Sequence, residues 1–222
     1  MIAAIYTKEG IVISTLALDT FYEMLEVNNA QTLHPIVCKG ISHTVTLWDR
    51  YTFVFRSMNP YVFDNSLSNW LQEYQFRMRN VPGIEETRKN ILDYITKEHL
   101  DIFGVFAGYE NSIPYVYSIQ GETYRRLNIT EKNDIIYSCS FFERDEVVGK
   151  LFRDVKIKNG DEWETRTGMR PRCDLFSIKK AVDLSHFLLS VNYHINNVNS
   201  SLYEDPLEYE TIIVKSNSIQ TL

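Results

Sequence analysis

Three side chains that can act as nucleophiles stand together at Ser138, Cys139 and Ser140, where the strand-like stretch 134–138 ends. The pattern predicts a strand-to-helix turn here, loosely like the elbow on which some hydrolases expose a nucleophilic serine. The glycines of the GxSxG frame, which permit that sharp turn, are absent. The residue types are therefore more typical of a helix cap with a buried cysteine than of a nucleophile.

A predicted helix carries Asp183, His186 and His194, whose side chains can bind protons or metals. The two histidines are eight positions apart and so share a face across two turns. Metal-binding pairs on a helix normally use the i, i+4 spacing of HExxH, which does not occur in this sequence. The pattern indicates a hydrogen-bonded histidine at an interface rather than a metal ligand.

No motif in the sequence predicts a bound metal or cofactor. Cys38, Cys139 and Cys173 lie at long spacings without a CxxC, which is typical of free buried thiols in a reducing compartment. Neither GxGxxG nor GKS/T is present, so nucleotide binding has no support. Acidic residues cluster near the C-terminus without calcium-loop spacing. These acids are Glu204, Asp205, Glu208 and Glu210.

Composition is that of an ordinary globular protein, with 44% hydrophobic and 13% aromatic residues in 222 positions. This length predicts a single domain over residues 1–222. The net charge of -6 and the lack of basic runs argue against nucleic acid and anionic membranes as partners. No stretch reaches the ~18 consecutive apolar residues of a membrane helix, and the opening residues lack a signal-peptide pattern. We expect a cytoplasmic protein.

The elements that would position these side chains alternate between strand blocks and helices. Turn signals and apolar spacing predict helices near residues 66–80, 84–95, 143–153 and 178–189. The stretch 156–174 is mixed in charge and predicts a surface excursion. A hairpin is predicted at 45–56, with Asp49-Arg50 near its turn, and strands are predicted at 2–6, 10–15, 102–107, 115–119, 123–127, 134–138 and 210–215. This order predicts a layered α+β architecture.

Four blocks resemble the proteasome-type N-terminal-nucleophile hydrolases in order and spacing. They are the opening hairpin MIAAIYTKEGIVIS, residues 49–57 (DRYTFVFRS), the strand–turn–strand GYENSIPYVYSIQGE and residues 135–151 (IIYSCSFFERDEVVGKL). The resemblance covers the chain from Ile2 to about Val214. It implies a four-layer αββα sandwich, in which two antiparallel sheets pack face to face with a helix pair outside each.

The chemistry of that family is not matched by the residues at the corresponding positions. Active members use a threonine before the first strand, where this chain has Met1, whose side chain lacks a hydroxyl. A lysine is replaced by His43, which is mostly neutral at pH 7. The degenerate positions implied by the resemblance are Met1, Leu16, His43, Ser138, Asn197 and Ser200. No catalytic residue is predicted.

The resemblance therefore implies a proteasome-like subunit without peptidase activity, acting as a structural or interaction protein. We expect a homo-oligomer or co-assembly with a related subunit, through large outward residues on the helices, including Phe76 beside Tyr74 and Met78, and Phe187 with Tyr193. Two alternatives remain open at this stage. One is a peptidase or amidohydrolase of the same superfamily with an unrecognised site. The other is a module that binds a peptide or small ligand.

Overall fold

The computed structural model describes residues 1–16, 18–27, 30–39, 42–57, 65–142, 152, 155–159, 162–168, 170–196 and 207–222. The strands are β1 (Ile2–Tyr6), β2 (Ile11–Leu16), β3 (Leu18–Val27), β4 (Ala30–Lys39), β5 (Ser42–Leu47), β6 (Tyr51–Ser57), β7 (Ile102–Glu110), β8 (Ile113–Gln120), β9 (Thr123–Arg126), β10 (Ser138–Phe142), β11 (Val155–Asn159), β12 (Glu162–Arg166), β13 (Tyr209–Lys215) and β14 (Ser218–Thr221). The helices are α1 (Ser66–Arg77), α2 (Ile84–Lys97) and α3 (Ile178–Asn196), with a 3₁₀ helix at Cys173–Leu175.

The first sheet is antiparallel, in the order β10-β1-β2-β13-β14. Its central strands β1 and β2 are buried at every position, since both faces of the hairpin are covered. The connecting turn is closed by the Thr7 amide, which donates to the Gly10 carbonyl at 2.9 Å. The Thr7 hydroxyl oxygen also accepts from the Glu9 amide at 3.1 Å. This local chemistry fixes the hairpin where the sequence predicts it.

The second sheet is also antiparallel, in the order β5-β6-β7-β8-β9. Its outer face carries α1 and α2, whose apolar residues recur at helical spacing and pack on its aromatic side chains. α1 contributes Leu67 and Leu71, and α2 contributes Ile84, Ile91 and Ile95. Glu85 and Glu86 in the first turn of α2 favour that helix through its dipole.

The two sheets face one another across a shared apolar interior. Ile2, Ala4 and Ile13 of the first sheet pack with Val54 and Val105 of the second. The opposite face of β1 and β2 is covered by α3, which contributes Ala181 and Leu188 to a separate cluster. Each strand of the central hairpin thus sends alternate residues into two different layers.

The four-layer αββα sandwich predicted from the resemblance is wrong. Within the described residues the structure consists mainly of two antiparallel sheets, with two helices against one sheet and one helix against the other. The described residues therefore do not form a helix pair outside each sheet. The helix predicted at 143–153 lies outside the described residues except for Phe152.

Two further hairpins form two-stranded sheets of their own, and the sequence pattern predicted neither of them. One joins β3 to β4 over ten residue pairs, from Leu18 opposite Lys39 to Val27 opposite Ala30. Asn28-Asn29 between these strands is a hairpin signal that was available in the sequence. The other joins β11 to β12 inside the predicted surface excursion 156–174.

The same excursion ends in the 3₁₀ helix, where Cys173 is fully buried. The assignment of one domain to residues 1–222 stays a prediction. Of the helices that the structure describes, none combines the length and apolarity that a bilayer crossing requires.

Gly104→Ala should destabilise the protein because β6 leaves no room beside β7. A Cβ at Gly104 would lie 2.5 Å from the Val54 carbonyl oxygen and 2.6 Å from the Phe55 Cβ, both fixed parts of the neighbouring strand. We expect a loss of about 2 kcal/mol in the free energy of unfolding, measured by urea denaturation.

Gly121→Ala is the matched control, because a Cβ there meets nothing within 4 Å and only the backbone angle (φ +50°) opposes the change. The Gly121→Ala protein should lose about 1 kcal/mol in the free energy of unfolding. A Gly104→Ala protein as stable as the Gly121→Ala protein would contradict the packing of β7 on β6.

Candidate functional site

Met1 and Leu16 lie side by side at one end of the first sheet, because Ile2 pairs with Thr15 in the β1–β2 ladder. Both are buried, with exposed fractions of 3% and 7%. Apolar side chains that pack with them include Leu189 and Tyr193 of α3. Where the resemblance implies a nucleophile and its acidic partner, the structure therefore has a hydrophobic cluster.

The other degenerate positions do not join this cluster. Ser138 pairs with Tyr6, so it lies at the far end of β1 from Met1. Along β1, Met1 and Tyr6 are separated by roughly 16 Å, from a rise of 3.2–3.4 Å per residue. His43 belongs to the second sheet, where its ring stacks on Phe55 at a centroid distance of 5.3 Å. Asn197 and Ser200 lie outside the described residues.

Ser138, Cys139 and Ser140 are not on a strand-to-helix turn, so that prediction is wrong. They form the start of β10, paired in register with β1 at the edge of the first sheet. The Tyr6 hydroxyl and the Ser140 hydroxyl are 3.0 Å apart. Edge pairing thus commits the backbone of these residues to the sheet, and no nucleophile elbow is formed.

A buried chain of hydroxyl groups joins α3 to the first sheet. Ser14 of β2 lies 2.8 Å from the Ser185 hydroxyl and 3.0 Å from the Thr211 hydroxyl. The Thr211 hydroxyl in turn lies 2.8 Å from Nε2 of His186. Ser14, Ser185 and Thr211 have exposed fractions of 1% or less, so each hydroxyl depends on the others for its hydrogen bonds.

The direction of donation in this chain of hydroxyl groups follows from Ser185, at one end of it. The Ser185 hydroxyl donates to the Val182 carbonyl at 2.8 Å, and a carbonyl can only accept. Ser14 must then donate to Ser185, and Thr211 must donate to Ser14. Thr211 is left as an acceptor, so His186 donates from Nε2–H. The network therefore assigns the Nε2–H tautomer to His186 when the ring is neutral.

The environment of His186 favours the neutral ring. Burial lowers the pKa of His186, and the nearby Asp183 carboxylate opposes that shift only in part. The ring stacks on Tyr209 at 4.1 Å with an interplanar angle of 7°. His194, eight positions further on, is exposed, and its Nδ1 lies 2.8 Å from the Ser190 carbonyl oxygen. His186 is thus a hydrogen-bonded histidine that fastens α3 to β13 within the chain, and the interface expected for it from the sequence stays a prediction.

Metal binding finds no support in the part of the chain that the structure describes. No group of three or more histidine, cysteine, aspartate or glutamate side chains there is arranged to hold an ion.

A cleft of about 660 Å³ opens at the other end of the sheets from Met1. It forms where the β5–β6, β7–β8 and β13–β14 turns meet the segment before α2. The Tyr51 hydroxyl ties this segment to β6 by donating to the Pro82 carbonyl at 3.1 Å. The lining residues are Trp48, Asp49, Arg50, Tyr51, Val81, Pro82, Gly83, Tyr109, Glu110, Asn111, Ser112, Ser216 and Asn217.

Two turns of this cleft have backbone in the left-handed region. Asn111 and Ser112 (φ 51° and 64°) tolerate that conformation, as expected for a two-residue hairpin turn. Trp48 has φ 50°, which is unusual for a bulky side chain. Its ring is held by edge contacts with Tyr51 and Tyr74, at centroid distances of 6.3 and 5.6 Å. Tertiary packing therefore keeps a strained residue at the cleft wall.

Comparison with known proteins finds similarity in structure alone. No family model matches the chain, and no curated protein matches its sequence. Anbu from Hyphomicrobium sp. strain MC1 superposes with a TM-score of 0.58 at 10% identity, covering 99% of this chain and 86% of that one. Anbu (ancestral beta-subunit) from Yersinia bercovieri gives 0.57 at 11% identity, over 99% and 85%. A Gly-1 mutant of the Hyphomicrobium protein gives 0.55 at 12% identity, over 100% and 83%.

The likeness is one of fold. At 10–12% identity and TM-scores of 0.55–0.58, these structures do not place the chain among the N-terminal-nucleophile hydrolases, and that assignment from the sequence is wrong. What they establish is a fold similar to that of an ancestral beta-subunit.

The pH dependence of stability should report the lowered pKa of His186. A histidine whose pKa is lowered in the folded state binds fewer protons in the native than in the unfolded state. Its contribution to folding stability is therefore fully present above the unfolded pKa of about 6.5 and is lost as the pH falls toward the folded pKa. His186→Gln should remove this loss because the amide can donate to Thr211 but does not titrate. Urea denaturation between pH 5 and pH 8, set about the reference pKa of 6.5, measures the effect.

His194→Gln is the control on the same helix, since His194 is exposed. It should keep the wild-type pH profile. If His186→Gln and the wild-type protein lost stability equally on acidification, the assignment of a neutral His186 in the native state would be overturned.

Proposed function

We propose that this protein is a β-subunit-like assembly protein without peptidase activity, which acts as a structural or interaction subunit. The observation that carries the proposal is the fold likeness to an ancestral beta-subunit over 99–100% of the chain. Its partner is a second copy of the same chain or a related subunit. The proposal also treats residues 1–222 as one domain and assigns no catalytic role to Met1, Leu16, His43, Ser138, Asn197 and Ser200.

The lack of peptidase activity is supported by the environment of Met1. A nucleophilic side chain before β1 would need a hydroxyl or thiol and a polar partner that accepts its proton. Met1 supplies neither group, and Leu16 beside it is apolar. The Met1 side chain packs in the apolar cluster, while His43 and Ser138 belong to other parts of the sheets.

Association is supported by aromatic residues that two helices direct toward solvent. Phe76 near the end of α1 is 92% exposed, and Phe187 on α3 is 51% exposed. Fully burying such a side chain contributes about 1.5–3 kcal/mol. Tyr74 and Tyr193, which the sequence placed with them, are buried within the chain and are not available for a contact. We propose that Phe76 packs against a second copy of this chain.

The purified protein should not hydrolyse fluorogenic peptides, and threonine-directed covalent inhibitors should leave its intact mass unchanged. The physical reason is the apolar burial of Met1 and Leu16. Peptide turnover that disappears in Ser138→Ala or Cys139→Ala would contradict this expectation and establish a hydrolase with a different site.

The protein should be larger than a monomer in solution, and Phe76→Ser should weaken its association by about tenfold. Multi-angle light scattering over a range of micromolar concentrations measures both effects. Leu175→Ser is the matched control, because Leu175 is also exposed (65%) but lies on the 3₁₀ helix rather than on α1. A mass of 26.0 kDa, that of one chain, at every concentration would remove the assembly proposal.

A second candidate function is supported by the cleft of about 660 Å³, which has the size of a small-ligand site. It combines aromatic walls with the carboxylates of Asp49 and Glu110 and the guanidinium of Arg50. Such a mixture suits a short peptide or a small zwitterion. A monomeric protein that retains a small molecule through purification, detected by native mass spectrometry, would favour this function over assembly.

A further inference from the structure

The fold brings together two cysteines that are 34 positions apart in sequence. Cys139 lies on the edge strand β10, and Cys173 begins the 3₁₀ helix that precedes α3. Both belong to one hydrophobic cluster, beneath α3 and beside Ile5 and Val12. Both are free thiols, and their side chains are hydrogen-bonded to each other.

The two thiols are not equivalent in this pair. The hydrogen bond that Cys139 makes to Cys173 raises the pKa of Cys139, and burial raises it further. The same hydrogen bond lowers the pKa of Cys173 despite its burial. The two sulfurs therefore share one hydrogen bond inside the protein. Cys173 is fully buried, whereas Cys139 is half-buried at the sheet edge.

We propose that Cys139 and Cys173 are an oxidation site, at which a small peroxide or a low-molecular-weight disulfide converts the two thiols into an intramolecular disulfide. With hydrogen peroxide, the thiolate of one cysteine attacks a peroxide oxygen and becomes a sulfenic acid, releasing water after proton transfer. The second thiol then attacks that sulfur, forms the S–S bond and expels a second water molecule. The two thiols lose two electrons and two protons, and the peroxide is reduced to two water molecules.

The same product forms with oxidised glutathione through a mixed disulfide. A cysteine thiolate attacks one glutathione sulfur and releases one reduced glutathione, and the second cysteine then releases the other. Because this route needs a larger reagent to reach the pair, it should be slower than oxidation by peroxide. Accessibility at the half-buried Cys139 is the physical reason.

The disulfide would tie the edge of the first sheet to the start of α3. Among the strands that the structure describes, β10 pairs with β1 at the edge of the sheet, and its side chains pack against the cluster beneath α3. A covalent bond from Cys139 to Cys173 would close a loop of more than 30 residues and so restrict the unfolded chain. Oxidation should therefore stabilise the fold, and reduction should restore the original stability.

The test uses the full-length protein treated with hydrogen peroxide or with oxidised glutathione, followed by alkylation of the remaining thiols. Peptide mapping by mass spectrometry should find the Cys139 peptide joined to the Cys173 peptide, and dithiothreitol should release it. In urea, the oxidised protein should unfold with an equilibrium constant lower on the order of 100-fold. Cys38→Ser is the control, since the third cysteine is not part of the pair and its loss should leave the cross-link intact.

Cys139→Ser and Cys173→Ser should each abolish the cross-link and the gain in stability on oxidation. The mapping on the wild-type protein decides the proposal even if one of these variants fails to fold. Sulfinic acid at Cys139 without any Cys139–Cys173 peptide would overturn it. So would a cross-link that always includes Cys38, or a disulfide that leaves the urea midpoint unchanged.

Discussion

Apolar residues on both faces of the β1–β2 hairpin have to be covered at once, and the layers of this protein follow from that requirement. Ile2, Ala4 and Ile13 need a second sheet opposite them, which β6 and β7 provide. Ile5 and Val12 point the other way and need a helix, which α3 provides. At about 25 cal/mol per Å² of buried apolar surface, neither face can be left in water without losing a large share of the stability of a domain.

Burial of this hairpin also explains the buried chain of hydroxyl groups under α3. Ser14 belongs to a strand with no exposed position, so its hydroxyl must find partners inside the protein. The Ser14 hydroxyl donates to Ser185 and accepts from Thr211. Thr211 accepts from Nε2–H of His186, and Ser185 donates to the Val182 carbonyl of α3. These hydrogen bonds need β2, β13 and α3 close together, so they help to position the helix on the sheet. The same arrangement sets the tautomer of His186.

A shared fold does not carry a shared chemistry, because function depends on the side chains of a site. The end of the sheet that holds Met1 and Leu16 is filled by apolar residues, while other features lie elsewhere on the same framework. The cleft lies at the opposite end, where four connections meet. The cysteine pair lies beneath α3. None of these features depends on the chemistry that the sequence resemblance implied.

The sequence by itself determined the local elements and the residue types. Hydrophobic periodicity and turn residues located β1, β2, α1, α2 and most of α3, because short-range spacing is enough to define an amphipathic helix or a buried hairpin. Position 1 carries a methionine, whose side chain has no hydroxyl. Apolar strands joined by short turns are common to many folds, however, and this is why similar blocks led to a wrong family assignment and to the expectation of a helix pair outside each sheet. The tertiary structure alone decided that Ser138 lies in an edge strand, that His186 meets Thr211, and that Cys139 meets Cys173 across 34 positions. Those contacts depend on how sheets and helices pack over long sequence separations, and local patterns do not encode that packing.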